Sequence, residues 1–484
     1  MRPISQRTVF DVVVLTAAAA VALASARPEA GCWNDGSRLA TVESLVDRGT
    51  FAIDDSIFVV VPPDRNPYAA DQPQLVHEGT LDKMRINGHF YSDKPPTSAI
   101  LLAGCYKAIQ IVTGLTAREQ PRRFCWLMSL LGAGLAYTIA VWCVWRLALA
   151  AGLPVRTALL LPAVLGLATV ALPYARQVSG HIQVLAVTSA LLLLMVRCGR
   201  SATGLPGKPL WRLAAIGALA GLGYAGDNAT GFFLLTGVGA WALLRFRESG
   251  PARVVAAIIL GALPFVGLHH AVTYAVAGTI GPPGAVAEYF DYPGSFFNAQ
   301  TLTGRWNHPS LDYFQAYLQK LLIGENGFLL FNPILFLAYY AVPLLRRRLP
   351  ERLELLVAGY WIVGTVLLYG ATSIAQSGGC VSIRWFVPLL APGLLFVAVL
   401  LRERPTYRGD ALILAAASGV LAVQAWRRGP WREFPTDVLM TVATGGIACW
   451  SVYRGGCWTV GIVRWWARRS RKTNPIPPVQ ARAA

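Results

Sequence analysis

The chain has 484 residues, of which 55% are hydrophobic and only 14% are charged, and its mean hydropathy is +0.47. A soluble domain carries about 25% charged residues, so this composition excludes an ordinary soluble protein and predicts a helical membrane protein. The net charge of +18 does not indicate nucleic-acid binding, because the basic residues form short clusters between apolar segments, where they set orientation and meet anionic lipid.

Residues 1–26 contain the first apolar segment. The start is basic, residues 8–23 are apolar, and Ala24-Ser25-Ala26 resembles a signal-peptidase site. A cleaved signal and a retained helix would both export the loop that follows. We expect retention, because the loop would otherwise be poorly anchored.

Residues 27–95 form a polar stretch between apolar segments. We expect a large first loop outside the membrane, with an amphipathic helix over 38–48 that lies on the membrane, because apolar residues recur there at helical spacing. Charged groups beside membrane spans tend to be functional, so this loop is a candidate for recognition or chemistry at the bilayer surface. A solvated cap is the structural alternative.

Two pairs of charged residues in this loop are candidates for chemistry. Asp35 stands three residues before Arg38 and is a candidate general base at a partly dehydrated interface; alternatively it caps the following helix. Asp93 and Lys94 directly precede Pro95-Pro96. Lys94 can hold a phosphate as a point charge, and the alternative is an ordinary helix start with proline at its first position.

Thirteen apolar segments have lengths near that of a membrane span, and in lipid only a helix satisfies all of their backbone groups. The segments are 8–26, 97–113, 124–145, 157–174, 181–197, 211–225, 230–245, 254–276, 328–345, 353–371, 386–402, 411–426 and 436–454. The fold class is therefore predicted to be all-α, a polytopic transmembrane bundle. Residues 1–454 are predicted to form one domain and residues 455–484 a basic cytoplasmic tail, disordered at 474–478.

The basic clusters can all be cytoplasmic only if one segment between residues 27 and 146 does not cross the membrane. Segment 97–113, which contains Lys107 and Gln110, is the best candidate and is predicted to be re-entrant or juxtamembrane. About 12 crossings follow, with both termini inside. Arg118, Arg122 and Arg123 would then lie outside, against the positive-inside rule.

This topology places four polar regions on the outer face: 27–95, 176–181, 277–327 and 372–385. Arg176 and His181 in the second region and Arg384 in the fourth are candidates to bind a phosphate. The alternatives are an interfacial histidine and snorkelling arginines. Cys32 and Cys380 would both face outside, so a disulfide between them is an open alternative to free thiols.

The layout and two short motifs resemble the C-type superfamily of polytopic membrane glycosyltransferases, which includes protein O-mannosyltransferases and aminoarabinose transferases. An acidic residue shortly before an arginine, here Asp35 and Arg38, opens the first exported loop, and an acidic-Lys-Pro motif, here Asp93-Lys94-Pro95, closes it. The chain departs from the family in two places. Asp35 is followed by Gly36 rather than Glu, and His181 stands where many members carry a second acidic residue, which leaves a divalent metal site in question.

The resemblance implies transfer of a sugar from a polyprenyl-phosphate donor to a cell-envelope acceptor, by inverting displacement on the extracytoplasmic face of a bacterial-type inner membrane. Membrane lipids would be the other partners. Asp35 would be the base, and the following residues would bind the substrate or its phosphate: Arg38, Asp93, Lys94, Arg176, His181 and Arg384. A transporter or lipid flippase and an inactive scaffold remain the alternatives, although transporters commonly carry inverted repeats, and no repeat is visible here.

Overall fold

The computed structural model describes residues 6–200, 210–248, 250–298, 302, 304, 306 and 308–473, and within these ranges it is a helical bundle with one small sheet. The α-helices of the described residues are α1 (Gln6–Ser25), α2 (Trp33–Asp47), α3 (Pro73–Glu78), α4 (Pro96–Thr113), α5 (Pro121–Ser129), α6 (Leu135–Ala150), α7 (Val155–Ala158), α8 (Leu160–Leu167), α9 (Ala171–Tyr174), α10 (Gly180–Arg200), α11 (Leu210–Gly226), α12 (Asn228–Arg245), α13 (Pro251–Ala277), α14 (Leu311–Ile323), α15 (Phe328–Phe331), α16 (Phe336–Ala341), α17 (Arg352–Thr372), α18 (Leu390–Glu403), α19 (Arg408–Arg428) and α20 (Thr436–Thr473). A π-helical turn, Leu130–Gly134, joins α5 to α6, and 3₁₀ turns occur at Pro283–Ala285, Ala287–Phe290, Pro333–Leu335, Val342–Arg346, Arg384–Leu389 and Pro405–Tyr407.

Within the described residues, seven helical segments are long and apolar enough to cross a membrane, and a pair bent by 102° gives an eighth if it is one span. The seven are Arg7–Ser25, Pro121–Ala150, Gly180–Arg200, Pro251–Ala277, Arg352–Thr372, Arg384–Glu403 and Pro405–Arg428. The bent pair is Leu311–Phe331 with Pro333–Arg346, and Val155–Leu167 and Leu210–Gly226 are shorter apolar helices. The predicted polytopic all-α membrane fold is confirmed, whereas the number of 12 crossings stays a prediction.

Helix α4 covers the segment that is predicted not to cross. It packs against α2, where the Tyr106 hydroxyl lies 3.1–3.2 Å from the Asp47 carboxylate and Gln110 Nε2 lies 2.8 Å from Asp47 Oδ1. Arg122 Nη1, at the start of α5, lies 3.9 Å from Glu29 Oε2 of the first loop. This contact places the start of α5 beside that loop, and whether the segment between them crosses the membrane stays a prediction.

Helix α2 differs from the predicted amphipathic helix in its bounds and in its surroundings. It begins at Trp33 rather than at residue 38, and its buried residues run from Asn34 to Ser44 without a solvent-facing or lipid-facing stripe. Leu39 and Val42 belong to the same buried cluster as Phe58. The first loop therefore packs around α2 in a buried cluster that it shares with α4 and α5, and α2 is enclosed by protein rather than exposed along one face.

The first loop also contains a β-hairpin, which the sequence analysis did not predict. Strand β1 (Lys83–Ile86) pairs antiparallel with β2 (His89–Ser92), with Lys83 opposite Ser92. Asn87 and Gly88 between them both have positive φ, 50° and 88°, which is the backbone of a two-residue hairpin turn. The hairpin brings the residue before β1, Asp82, next to the residue after β2, Asp93.

The last described helix extends into the predicted C-terminal tail. Helix α20 continues to Thr473, through more than half of the predicted 455–484 tail, and is tied to α19 by an ion pair between Arg454 Nε and Asp410 Oδ1 at 3.2 Å. The predicted disorder at 474–478 lies outside the described residues.

Candidate active site

One cavity of about 980 Å³ is lined by residues from all four regions that are predicted to share the outer face. The first loop contributes Arg38, Asp82, Asp93 and Lys94, and the later regions contribute, among others, His181, Asp227, Phe296, Tyr369, Arg384, Trp385 and Trp431. The four regions that were predicted to share one face therefore line the same cavity, where residues more than 300 positions apart in the chain meet.

The first turns of five helices line this cavity. They belong to α2, α4, α10, α12 and the helical segment that starts at Arg384. A helix N-terminus presents backbone N–H groups without partners in the helix and a partial positive charge, and both favour an anion. The backbone therefore adds positive potential to a cavity whose charged side chains balance, since Arg38, Lys94 and Arg384 are matched by Asp82, Asp93 and Asp227.

Two arginines in the cavity wall have donors without a partner. Arg38 is 4% exposed; its Nε donates to Asn34 Oδ1 at 3.4 Å, and Nη1 has no partner. Burial lowers the pKa of Arg38 to about 10. The Nε of Arg384 also lacks a partner, and the guanidinium centre lies 5.7 Å from the ring of Trp431. Both side chains are available to a ligand with acceptor oxygens.

Lys94 lies between two carboxylates. Its Nζ is 2.7 Å from Asp82 Oδ2 and 2.8 Å from Asp93 Oδ2, while Asp93 Oδ1 is buried without a partner. Burial raises the pKa of Asp93, and the neighbouring Lys94 partly offsets this. The sequence motif identifies Asp93 and Lys94 but not Asp82. Asp82 could have been predicted from Asn87-Gly88, the strongest short-range indication of a hairpin. A hairpin around this turn brings Asp82 beside Asp93.

His181 lies beside Asp227, a carboxylate that is not among the predicted site residues. Asp227 is the N-cap of α12, where it accepts from the backbone N–H of Ala229 (3.1 Å) and Thr230 (3.3 Å). The Tyr369 hydroxyl donates to the same carboxylate at 2.9 and 3.0 Å. His181 Nδ1 lies 3.6 Å from Asp227 Oδ2. The pair joins the starts of α10 and α12, which are both predicted to face outside.

Asp35, the predicted base, does not line the cavity. It is fully buried as the third residue of α2, and its carboxylate accepts from the backbone N–H of Gly31 (2.9 Å), Cys32 (2.8 Å) and Gly36 (3.0 Å). The N-cap is Cys32, whose Sγ accepts from Asn34 N at 3.2 Å. Asp35 is part of a capping box, because the helix begins earlier than predicted, and its assignment as the base stays a prediction.

Arg176, a predicted phosphate-binding residue, also lies outside the cavity lining. Its Nη1 donates to the main-chain carbonyls of Trp426 and Arg427 at the end of α19. Carbonyls at a helix C-terminus need donors and favour a positive charge. Arg176 therefore caps α19, and its role in phosphate binding stays a prediction.

Comparison with known proteins finds no matching family model and no matching curated protein. Among solved structures, the chain is similar to ArnT from Cupriavidus metallidurans bound to undecaprenyl phosphate, with a TM-score of 0.47 and 16% identity over 92% of this chain and 75% of that one. The apo state of that protein gives 0.48 and 18% over 92% and 76%. The archaeal oligosaccharyltransferase AglB from Archaeoglobus fulgidus, in complex with an inhibitory peptide and a dolichol-phosphate, gives 0.45 and 12% over 88% and 56%.

These similarities all have TM-scores below 0.5 and identities below 25%, so they do not show a family for this chain.

A divalent metal does not fit the donors that the structure brings together. Within the described residues, no group of three or more His, Cys, Asp or Glu side chains could hold a metal ion. Asp82 and Asp93, which face each other, already share the ammonium group of Lys94.

Cys32 and Cys380 are both free thiols, so the alternative of a disulfide between them is not realised.

Replacing Asp35 by asparagine tests whether its carboxylate serves as a capping group of α2. We expect a loss of about 1–3 kcal/mol in stability, because the amide oxygen cannot accept from all three N–H groups and leaves a buried donor unpaired. The folded fraction should keep its transfer rate. The measurement is the thermal unfolding midpoint in detergent together with turnover per folded molecule, and the control is Asp64→Asn, which changes an exposed carboxylate of the same loop. A folded Asp35→Asn protein without turnover would restore Asp35 as the base.

Proposed function

We propose that this chain is a membrane glycosyltransferase that moves a sugar from a polyprenyl-phosphate carrier to an acceptor hydroxyl on the extracytoplasmic face of the membrane. The observation that supports this is the meeting of Arg38, Lys94 and Arg384 with five helix N-termini around one cavity. Such a site suits a phosphate that lies at the membrane boundary.

The chemistry of a phosphate leaving group fits these residues. When the bond between the anomeric carbon and the phosphate oxygen breaks, the electron pair stays on the phosphate, whose charge must be met by fixed donors. The unpartnered Nη1 of Arg38 and Nε of Arg384 are such donors. Lys94 adds a point charge whose position is held by Asp82 and Asp93. Direct displacement at the anomeric carbon inverts its configuration.

The cavity walls suggest where the two ends of the donor would lie. Ala99 of α4 and Val272 and Val276 of α13 form an apolar stretch of the lining, where the start of the lipid tail would pack. Trp33 and Phe296 lie with their rings 5.0 Å apart on the side of the two outer loops. The two rings give this part of the wall a large flat apolar surface between polar loops, and such a surface can pack against a sugar ring.

The test is release of undecaprenyl phosphate by the purified chain in nanodiscs that contain a panel of undecaprenyl-phosphate sugars, with and without EDTA. We expect release with at least one donor, and EDTA decides whether a metal takes part. A flippase or transporter would bind a donor or move it across the bilayer without breaking its phosphate bond. Binding without release across the panel would therefore overturn the proposal in favour of transport, and absence of both would favour an inactive scaffold.

A further inference from the structure

We propose that His181, positioned by Asp227, takes the proton from the acceptor hydroxyl in the transfer step. This inference rests on the proposed function and adds the catalytic base to it. The resemblance to the family points to acidic residues for this part of the reaction, whereas the structure of this chain places a histidine and a carboxylate together in the cavity wall.

The geometry of the pair is that of an oriented imidazole. His181 and Asp227 are 9% and 7% exposed, and His181 Nδ1 is enclosed, 3.6 Å from Asp227 Oδ2, with no hydrogen-bond partner. His181 also lines the cavity. Because Nδ1 is turned toward the carboxylate, Nε2 is the nitrogen left for the cavity, as in other sites where a carboxylate orients a catalytic histidine.

Asp227 is held more firmly than a carboxylate that serves only as a helix cap. It accepts from two backbone N–H groups, from the Thr230 hydroxyl at 3.0 Å and from the Tyr369 hydroxyl. The Tyr369 ring is itself stacked on Trp385, with centroids 4.6 Å apart and planes 4° from parallel. These contacts tie the starts of α10, α12 and the segment at Arg384 to α17 and fix the carboxylate behind the imidazole.

The other carboxylates near the cavity are less suited to take a proton. The oxygens of Asp35 accept three backbone N–H groups and lie outside the cavity lining. Asp93 shares the Lys94 ammonium with Asp82. His181 is the cavity group that combines a basic nitrogen with a carboxylate behind it.

The transfer step forms one bond and breaks one. The acceptor oxygen forms a bond to the anomeric carbon, the bond from that carbon to the phosphate oxygen breaks, and polyprenyl phosphate leaves with the electron pair. The acceptor proton moves to His181 Nε2, and the resulting imidazolium is stabilised by the Asp227 carboxylate. The proton then passes to solvent and restores the neutral ring.

The charged groups that face His181 come from three elements. They are Asp227 on α12, Arg38 on α2 and Arg384 at the start of its helical segment, and all of them line the cavity. A carboxylate stabilises a nearby imidazolium, whereas a guanidinium opposes it, and a bound phosphate would offset the two arginines.

The experiment uses the full chain in nanodiscs and follows release of undecaprenyl phosphate to water as acceptor, which requires no knowledge of the natural acceptor. We expect His181→Gln to lower the rate about 100- to 10,000-fold, the range for a lost general base, and to remove the acidic limb of the pH–rate profile. Undecaprenyl phosphate should bind as before. The matched control is His89→Gln, which changes an exposed histidine of the first loop.

Two further variants test the positioning role and do not depend on His181→Gln folding. Asp227→Asn should move the acidic limb to lower pH, because the imidazolium loses its carboxylate. Tyr369→Phe keeps the stacked ring and should move the limb to higher pH, because the carboxylate loses a donor and stabilises the imidazolium more. A merely structural role would leave the limb in place.

The outcomes separate this inference from the proposed function. If wild type releases undecaprenyl phosphate and His181→Gln keeps both the rate and the acidic limb, the assignment of His181 is overturned and the proposed function stands. It is also overturned if His181→Gln loses phosphate binding in proportion to its rate, since His181 would then be a binding group. If wild type releases nothing from any donor, the proposed function fails, and this inference fails with it.

Discussion

Replacing Lys94 by methionine is expected to abolish detectable release of undecaprenyl phosphate and to destabilise the fold by about 3–5 kcal/mol, the usual effect of removing one partner from a buried ion pair. The Lys94 side chain is 14% exposed, and it is the cation within hydrogen-bond distance of both Asp82 and Asp93. Without it, two nearly buried carboxylates face each other, and the leaving phosphate loses a point charge. The measurements are the thermal unfolding midpoint and release of undecaprenyl phosphate.

A second substitution separates the two effects. Asp82→Asn combined with Lys94→Met removes one of the two uncompensated carboxylates, so we expect most of the lost stability to return. Release should not return, because the phosphate still lacks its ammonium group. The control is Lys107→Met, which changes an exposed lysine of α4 whose Nζ lies 2.9 Å from Gln110 Oε1. A double variant that regains activity with its stability would show that Lys94 acts only as a structural counter-ion.

The Lys94→Met variant should also have a characteristic pH dependence. Burial already raises the pKa of Asp93, and Lys94 opposes this shift. Without Lys94, the folded-state pKa rises further above the unfolded value of about 3.9. The ionised form then costs stability above the folded pKa, and this cost disappears as the pH falls toward the unfolded value. The stability deficit of the variant relative to wild type should therefore shrink on acidification.

The sequence predicts the residues whose role depends on local pattern and fails where the role depends on tertiary contacts. Asp93 and Lys94 are found because their neighbours Pro95-Pro96 fix a helix start at the end of the loop. The structural role of Asp35 was not predicted, because it depends on where α2 begins, and Cys32 is not among the usual N-cap residues. The helix starts five residues earlier than predicted, so Asp35 lies inside its first turn, and its role as the base stays a prediction.

The partners of Arg176 and His181 could not be predicted from the sequence, because these partners lie far away in the chain. Arg176 and His181 lie in one short corner of the sequence, but Arg176 binds carbonyls 250 and 251 positions away, which no local pattern can indicate. His181 meets Asp227 because α10, α11 and α12 pack side by side. The predicted topology placed His181 outside the membrane, but only the packing of the helices makes it a neighbour of Asp227.

Replacing Arg38 by methionine is expected to weaken binding of undecaprenyl phosphate by roughly 30- to 4,000-fold, since a lost contact of a buried charge is worth about 2–5 kcal/mol. Its guanidinium lies at the cavity wall with Nη1 unpartnered, and Gly180 leaves room for it: a Cβ at that position would lie 2.8 Å from Arg38 Nη2. Arg38→Lys keeps the charge but loses the planar fork, so its affinity should be intermediate.

The stability of Arg38→Met should not fall, and this expectation distinguishes a binding arginine from a structural one. Burial lowers the pKa of both Arg38 and Arg176 to about 10. A base whose folded-state pKa is lowered has its charged form disfavoured by folding, so at neutral pH each charge costs stability unless its contacts offset the cost. Within the described residues, no carboxylate lies within ion-pair distance of Arg38, whereas Arg176 donates to the carbonyls of Trp426 and Arg427.

Arg176→Met is therefore the matched control for Arg38→Met, and the two variants should show opposite results. Arg176→Met should lower the thermal unfolding midpoint, because the end of α19 loses its donor, and should leave the affinity for undecaprenyl phosphate unchanged. Arg38→Met should lower the affinity and keep or raise the midpoint, since functional sites often retain groups that cost stability. Equal loss of stability in both variants, with unchanged affinity, would mean that Arg38 is a packing residue and that the phosphate binds elsewhere.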